Sequence, residues 1–181
     1  MEDLLILVDL YDNQIGCCTK AETHEKELLH RAFSLFIYNR IEKKFLLQKR
    51  AVNKYHSGGL WTNSCCSHPR HGEELREAVV RRTKDELGLN ILQNIDALKE
   101  VGKFQYYKKF NACAENEIDH VFFLPVDENI EVRINTDEIE DVKWLSVEDI
   151  SKNIKCNLDL YTAWFPQAYG IIMKYLDSEN L

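Results

Sequence analysis

Apolar and polar positions along this chain predict strands more often than helices. Residues 4–8, 32–38, 45–48, 101–107, 118–124 and 142–145 are short runs, most of them rich in β-branched or aromatic side chains, the composition of strands. The clearest helical period runs from about residue 73 to 87. There Leu75, Ala78, Val79, Thr83 and Leu87 fall on one stripe and Gly88 supplies a stop. Ser146 followed by Val147, Glu148 and Asp149 reads as a helix cap with an acidic first turn. A last helix is expected to begin near Pro166, a good first helical position, and to carry Ile171, Ile172, Tyr175 and Leu176. Strands interrupted by one central helix, with further helices gathered late, predict an α+β fold rather than a regular βαβ alternation.

Composition narrows the picture. A chain of 181 residues is most simply one domain, residues 1–181, able to bury roughly 70% of its unfolded surface. Hydrophobic content of 45% and charged content of 29% are ordinary for a soluble globular protein. A net charge of −7 argues against general nucleic-acid binding, but local basic residues can still hold a small anion. The apolar run after the acidic start Met1-Glu2-Asp3 is too short for a signal sequence or a membrane span, so a cytoplasmic protein with no membrane partner is expected. A monomer is the default expectation. Of six cysteines, Cys17-Cys18 and Cys65-Cys66 are adjacent pairs, which rarely bridge each other; free thiols are the better reading.

Two segments carry most of the chemistry. Trp61-Thr62-Asn63-Ser64-Cys65-Cys66-Ser67-His68-Pro69 sets a thiol and an imidazole two residues apart, and Glu115-Asn116-Glu117 does the same with two carboxylates. In an extended backbone such residues share a face, so Cys66 lies with His68 while Cys65 points away. His24, His30 and His68 with Glu115 and Glu117 offer mixed nitrogen and oxygen ligation, suited to Zn²⁺, Mn²⁺ or Fe²⁺ better than to Ca²⁺ or Mg²⁺ alone. His56, His71 and His120 compete for the same role. Cys66 is either an inert small hydrophobe or a thiol activated by positive neighbours.

Basic residues suit an anion. Arg50 and Lys54, with Lys20 upstream and Arg82 on the predicted helix, could hold phosphate, or form a solvated basic surface. Arg82 and Glu86, four apart, are either a simple helical ion pair or a phosphate contact beside an Mg²⁺ ligand. Trp164 is either core or the wall of a pocket able to stabilise a cation with its ring face, and Tyr106 offers a hydroxyl to orient a carboxylate.

These segments, in this order, resemble the type 1 isopentenyl-diphosphate Δ-isomerases. The resemblance runs from about Lys20 to Trp164 and rests above all on the Trp-Thr-Asn-Ser-x-Cys-x-His-Pro run. That family is a branch of the Nudix fold, so a mixed β-sheet flanked by helices is implied. The ordinary Nudix box, G-x5-E-x7-R-E-U-x-E-E-x-G-U, would place its first glycine on Ser67 and its first glutamate on Glu73. Its Arg-Glu pair falls on Arg81-Arg82 and its Glu-Glu pair on Asp85-Glu86. A hydrolase uses such carboxylates to gather metal ions and activate water. Here one has become Arg82, which favours holding a diphosphate over cleaving it.

The resemblance implies roles. His24, His30, His68, Glu115 and Glu117 would ligate a divalent metal (Mn²⁺, Zn²⁺ or Mg²⁺), with His24 the least secure. Glu86 would hold Mg²⁺ with the substrate diphosphate. Lys20, Arg50, Lys54 and Arg82 would contact that diphosphate. Cys66 and Glu117 would be the acid/base pair of a 1,3 proton shift, in an order the resemblance leaves open, with Tyr106 as helper and Trp164 facing the carbocation. The alternatives are a Nudix-type diphosphate hydrolase and a non-catalytic binding protein.

Overall fold

The structure, a computed structural model, describes residues 4–111, 113–128 and 130–179. The acidic start Met1-Glu2-Asp3 lies outside the described residues. A hairpin opens the fold, β1 (Leu4–Val8) pairing antiparallel with β2 (Gln14–Thr19). A short helix, α1 (Lys20–Glu25), follows directly; the Thr19 hydroxyl caps it by accepting from the Glu22 amide.

The hub is β3 (His30–Asn39), whose residues Ala32 to Asn39 are buried on both faces, as expected of an interior strand with a parallel partner. Its parallel neighbour is β8 (Ala114–Val126), in register from His30 opposite Glu117 to Asn39 opposite Val126. The other edge of β3 is shared in turn by three strands. Leu7 of β1 pairs with His30, β6 (Cys65–Ser67) pairs with Phe33 to Leu35, and β4 (Lys44–Arg50) pairs with Ile37 to Asn39. The remaining strands are β5 (Trp61–Thr62) on β4, β7 (Lys99–Lys109) on β8 and β9 (Ile139–Ser146) on β4.

Where β3 and β4 splay apart, Ser64 fills the gap. Its hydroxyl accepts from the Ile37 amide at 2.8 Å and donates to the Leu46 carbonyl at 2.6 Å. The wedge satisfies two backbone groups that strand divergence would orphan. It also fixes where the next residues, Cys65 and Cys66, fall.

Helices cover both faces of the curled sheet. Helix α2 (Leu75–Leu87) buries Ala78, Val79 and Leu87 in a core with Phe33, Leu35, Ile37 and Cys65. It starts two residues later than its periodicity predicts, and Gly88 ends it at φ +67°. Helix α3 (Val147–Cys156) is capped by Ser146, whose hydroxyl accepts from the Asp149 amide at 3.0 Å. Helix α4 (Phe165–Glu179) packs Phe165, Ala168, Tyr169 and Ile172 with Phe36, Phe45, Val121 and Phe123 in the second core. The α+β architecture read from the sequence is the one observed. No described helix is long and apolar enough to cross a membrane.

Candidate active site

One cavity opens at the end of β3 and β8. Eleven of the thirteen sequence-predicted residues line it: Lys20, Arg50, Lys54, Cys66, His68, Arg82, Glu86, Tyr106, Glu115, Glu117 and Trp164. The other two, His24 and His30, lie buried beside His68 and the two glutamates.

The His/Glu cluster is assembled by sheet register. His30 starts β3 directly opposite Glu117 of β8, and Glu115 lies two residues earlier on the same face. His68 follows β6, and His24 sits in the last turn of α1. One ligand atom from each of the five lies within 4.8 Å of all the others. His68 Nε2 stands 2.7 Å from Glu117 Oε1 and 3.3 Å from His30 Nε2; His24 Nε2 stands 3.1 Å from Glu115 Oε2.

Proton placement decides what this cluster suits. His24 and His30 each direct Nδ1 at a backbone carbonyl, of Lys20 at 2.6 Å and of Leu28 at 2.8 Å. An Nδ1–H donating there leaves the Nε2 lone pairs for the cluster. Burial pushes His68 down to about 4, against the pull of Glu117, so its imidazole is neutral at pH 7. Burial also opposes ionisation of both glutamates. The neighbouring imidazoles of His24 and His56 nevertheless hold Glu115 well below the carboxylate range, and those of His30 and His68 hold Glu117 below it despite the charge of Glu115. Burial disfavours a charged His24, yet Glu115 and Glu117 draw its imidazole up, so a cation entering the cluster would take the place of a proton there. Three imidazoles and two carboxylates converge. That donor set fits a divalent metal.

Beside the cluster stands the thiol. In the three-residue strand β6, Cys65 enters the core, fully buried, while Cys66 faces the cavity, as the alternation of the segment predicts. Burial pushes the Cys66 thiol up to about 12, against the downward pull of Arg50, whose Nη1 lies 4.0 Å from the sulfur. The thiol therefore carries its proton at neutral pH. Tyr106 is the direct cross-strand partner of Glu117 and hydrogen-bonds its carboxylate.

Trp164 closes this end of the cavity at 4% exposure. Its indole N–H donates to Asn63 Oδ1 at 3.3 Å, while the Asn63 amide donates to the Cys65 carbonyl at 2.6 Å. The ring is thus tied to the backbone that aims Cys66. Arg50 already lies over the indole face, with its guanidinium carbon 5.5 Å from the ring centre.

The other end is basic. Arg82 Nη2 bonds Glu86 Oε1 at 2.6 Å and Glu138 Oε1 at 3.1 Å. Lys54 Nζ meets the second oxygen of Glu138 at 2.5 Å. Glu86 is 3% exposed; burial raises it although Arg82 pulls it down. Gln48 Nε2 donates to its other oxygen at 3.2 Å.

Several lining residues escaped sequence reasoning. Asp119 continues the Glu115, Glu117 series by one more step of two, a signal that was present, and accepts from the Ser34 hydroxyl at 2.7 Å. Glu138 and Gln48 had no local signal. His56, one of three competing histidines, meets Glu115 at 2.5 Å. The other two lie elsewhere. His71 pairs with Gln14 at the surface, and His120 faces away from the cavity, toward Glu100 and Asp12.

Comparison with known proteins agrees with this arrangement. The NUDIX domain model matches residues 28–165. Isopentenyl-diphosphate Delta-isomerase 2 of Photorhabdus laumondii is 46% identical over 91% of this chain and 89% of its own length. The isopentenyl-diphosphate Delta-isomerase of Photobacterium profundum is 37% identical over 99% of both chains. Among solved structures, the DR0079 protein of Deinococcus radiodurans superposes with a TM-score of 0.73 at 18% identity, covering 94% of this chain and 98% of its own. The MutT protein of Methanosarcina mazei superposes with a TM-score of 0.62 at 21% identity, covering 84% and 95%. The two solved structures share the fold, the two relatives align over nearly the whole chain, and the chain belongs to the isopentenyl-diphosphate Delta-isomerase family of Nudix-domain proteins.

Proposed function

We propose that this chain converts isopentenyl diphosphate to dimethylallyl diphosphate by a 1,3 proton shift, a step of isoprenoid biosynthesis. The observation that carries the reading is that a thiol, Cys66, and a carboxylate, Glu117, line one cavity, where burial favours the protonated thiol and the neighbouring imidazoles favour the ionised carboxylate. Such a pair holds one proton, and the reaction delivers one proton and recovers one.

The diphosphate lies at the basic end. Lys20, Arg50, Lys54 and Arg82 contact its oxygens, and Glu86 would hold Mg²⁺ with it by giving up its bond to Arg82 or to Gln48. The alkene lies between Cys66 and Glu117. One of these groups protonates the terminal carbon, the double-bond electrons form the new C–H bond, and a tertiary carbocation develops at the neighbouring carbon. The other removes a proton from the next carbon, whose C–H electrons close the new double bond. Trp164 presents its π face to the cation, a contact worth roughly 0.5–2 kcal/mol. Tyr106 orients Glu117 through its hydroxyl. Water is kept from the cation by the buried walls, which Tyr106 and Trp164 supply.

His24, His30, His68, Glu115 and Glu117 would hold a divalent cation, Mn²⁺, Zn²⁺ or Mg²⁺. Its charge, when bound, fixes Glu117 and tunes its basicity.

The test is proton NMR of isopentenyl diphosphate with the metallated protein in D₂O, beside Cys66→Ala. Dimethylallyl diphosphate carrying deuterium, absent with the variant, is the expected result. Unchanged substrate would sink the reading. Release of phosphate or pyrophosphate would point to a Nudix-type hydrolase instead.

A further inference from the structure

His56 sits on the loop of residues 51–60, between β4 and β5, and is 7% exposed. Its Nε2 stands 2.5 Å from Glu115 Oε1. That oxygen is not the one the cluster uses: His24 and His30 both approach Oε2, at 3.1 and 3.8 Å. The other ring nitrogen, Nδ1, lies 3.2 Å from the Ser57 hydroxyl. A Ser57 O–H donating to Nδ1 leaves an Nε2–H to donate to Glu115. Ser57 holds φ +52°, uncommon for a residue with a side chain. The imidazole face stacks on Phe110, centroids 4.6 Å apart at 24°, and its edge meets Trp164 at 6.1 Å. The ring is therefore fixed on three sides, with one N–H directed at one carboxylate oxygen.

A metal-bound carboxylate is held in place by what its second oxygen accepts. We propose that His56 is a positioning residue for Glu115: its N–H keeps Oε1 occupied and leaves Oε2 alone to face the cation. The adjacent Lys54 belongs to the basic end of the cavity, so one short loop ties the anion-holding region to the His/Glu cluster. Gly58 makes this loop possible, since a Cβ there would lie 2.5 Å from the Val52 carbonyl oxygen. The inference rests on the cluster being a divalent-metal site.

Three variants and one probe test it. His56→Phe keeps a ring against Phe110 but has no donor. His56→Gln restores an N–H at similar reach, and His56→Asn offers one too short to arrive. Co²⁺ affinity is measured by competition with a chromophoric chelator, and the ligand field by visible absorption. The expected result is a loss of 10- to 100-fold in affinity for Phe and Asn, with a changed spectrum, and near wild-type values for Gln. Wild-type affinity and spectrum in His56→Phe would overturn the inference, as would a loss in Gln equal to that in Phe. Should the Phe variant not fold, the contrast between Asn and Gln decides. No Co²⁺ binding by the wild-type protein would remove the metal-site reading itself, and this inference with it.

Discussion

Arg82 and Glu86, one turn apart on α2, form an ion pair at 2.6 Å in which the carboxylate is almost wholly removed from water. Removing only the arginine strands a buried charge, which is more damaging than replacing both partners. Arg82→Gln is therefore expected to lower stability by about 2 kcal/mol, since the guanidinium is itself half-buried. It should also raise KM for isopentenyl diphosphate at least tenfold. Urea unfolding and steady-state kinetics check the two effects separately.

Glu138 occupies both Arg82 and Lys54, the cations proposed to meet the diphosphate. Glu138→Gln frees them from a competing negative charge. Tighter binding of inorganic pyrophosphate is expected, by a few-fold, in titration calorimetry. Weaker binding would mean that the carboxylate orients the two cations rather than competing for them.

Trp164 is held in place by Asn63, and its proposed role in charge stabilisation is separable from its size. Trp164→Leu removes the ring face and should lower kcat by about 3- to 30-fold, the rate equivalent of a cation–π contact, with little change in KM. Trp164→Phe keeps part of that face and should fall between. Equal kcat in both variants and the wild type would remove the ring from the chemistry.

Chelation should abolish isomerisation and lower Tm, because a ligand bound to the folded state alone stabilises it. One equivalent of a divalent cation per chain, counted by elemental analysis, should restore Tm, and activity should return once Mg²⁺ is also supplied with the substrate. Recovery of Tm without activity would separate the structural from the chemical contribution of the cluster.

Glu73 accepts two hydrogen bonds from Arg81, at 2.7 and 2.8 Å, and one from the Arg70 amide at 2.8 Å. Burial opposes its ionisation, yet the Arg81 bonds hold it below the usual carboxylate range. The folded-state value is depressed, so its stabilisation is present above the unfolded value near pH 4.3 and lost as pH falls through the folded one. Glu73→Gln should therefore be less stable than wild type at pH 7 by about 1 kcal/mol, and the difference should shrink as pH falls below the unfolded value. Urea midpoints across that range check the sign.

Much of the site was legible because extended segments have a fixed parity. Cys66 with His68, and Glu115 with Glu117, needed only the alternation of a strand to share a face. The caps at Ser146 and Gly88 were equally local. What stayed hidden depends on contacts far apart in sequence. The segment from Gln14 to Glu25 shows little apolar periodicity, so β2 and α1 went unread; β2 is held by pairing with β1, and α1 by the Thr19 cap. The short strand β6 is set by the Ser64 wedge, which no local pattern announces. His56 and Glu138 reach the cavity from loops, and nothing in a single sequence tells which loop residue will arrive.

The parallel pairing of β3 with β8 also has a kinetic meaning. His30 and Glu117 face each other across that seam although nearly half of the chain lies between them in sequence. As the chain leaves the ribosome, all three histidines emerge well before either carboxylate. Closing so long a loop is slow compared with forming α2 or the first hairpin. The cluster is complete only once that seam has zipped, so the cation uptake proposed for all five groups would report a late event in folding rather than nucleate it.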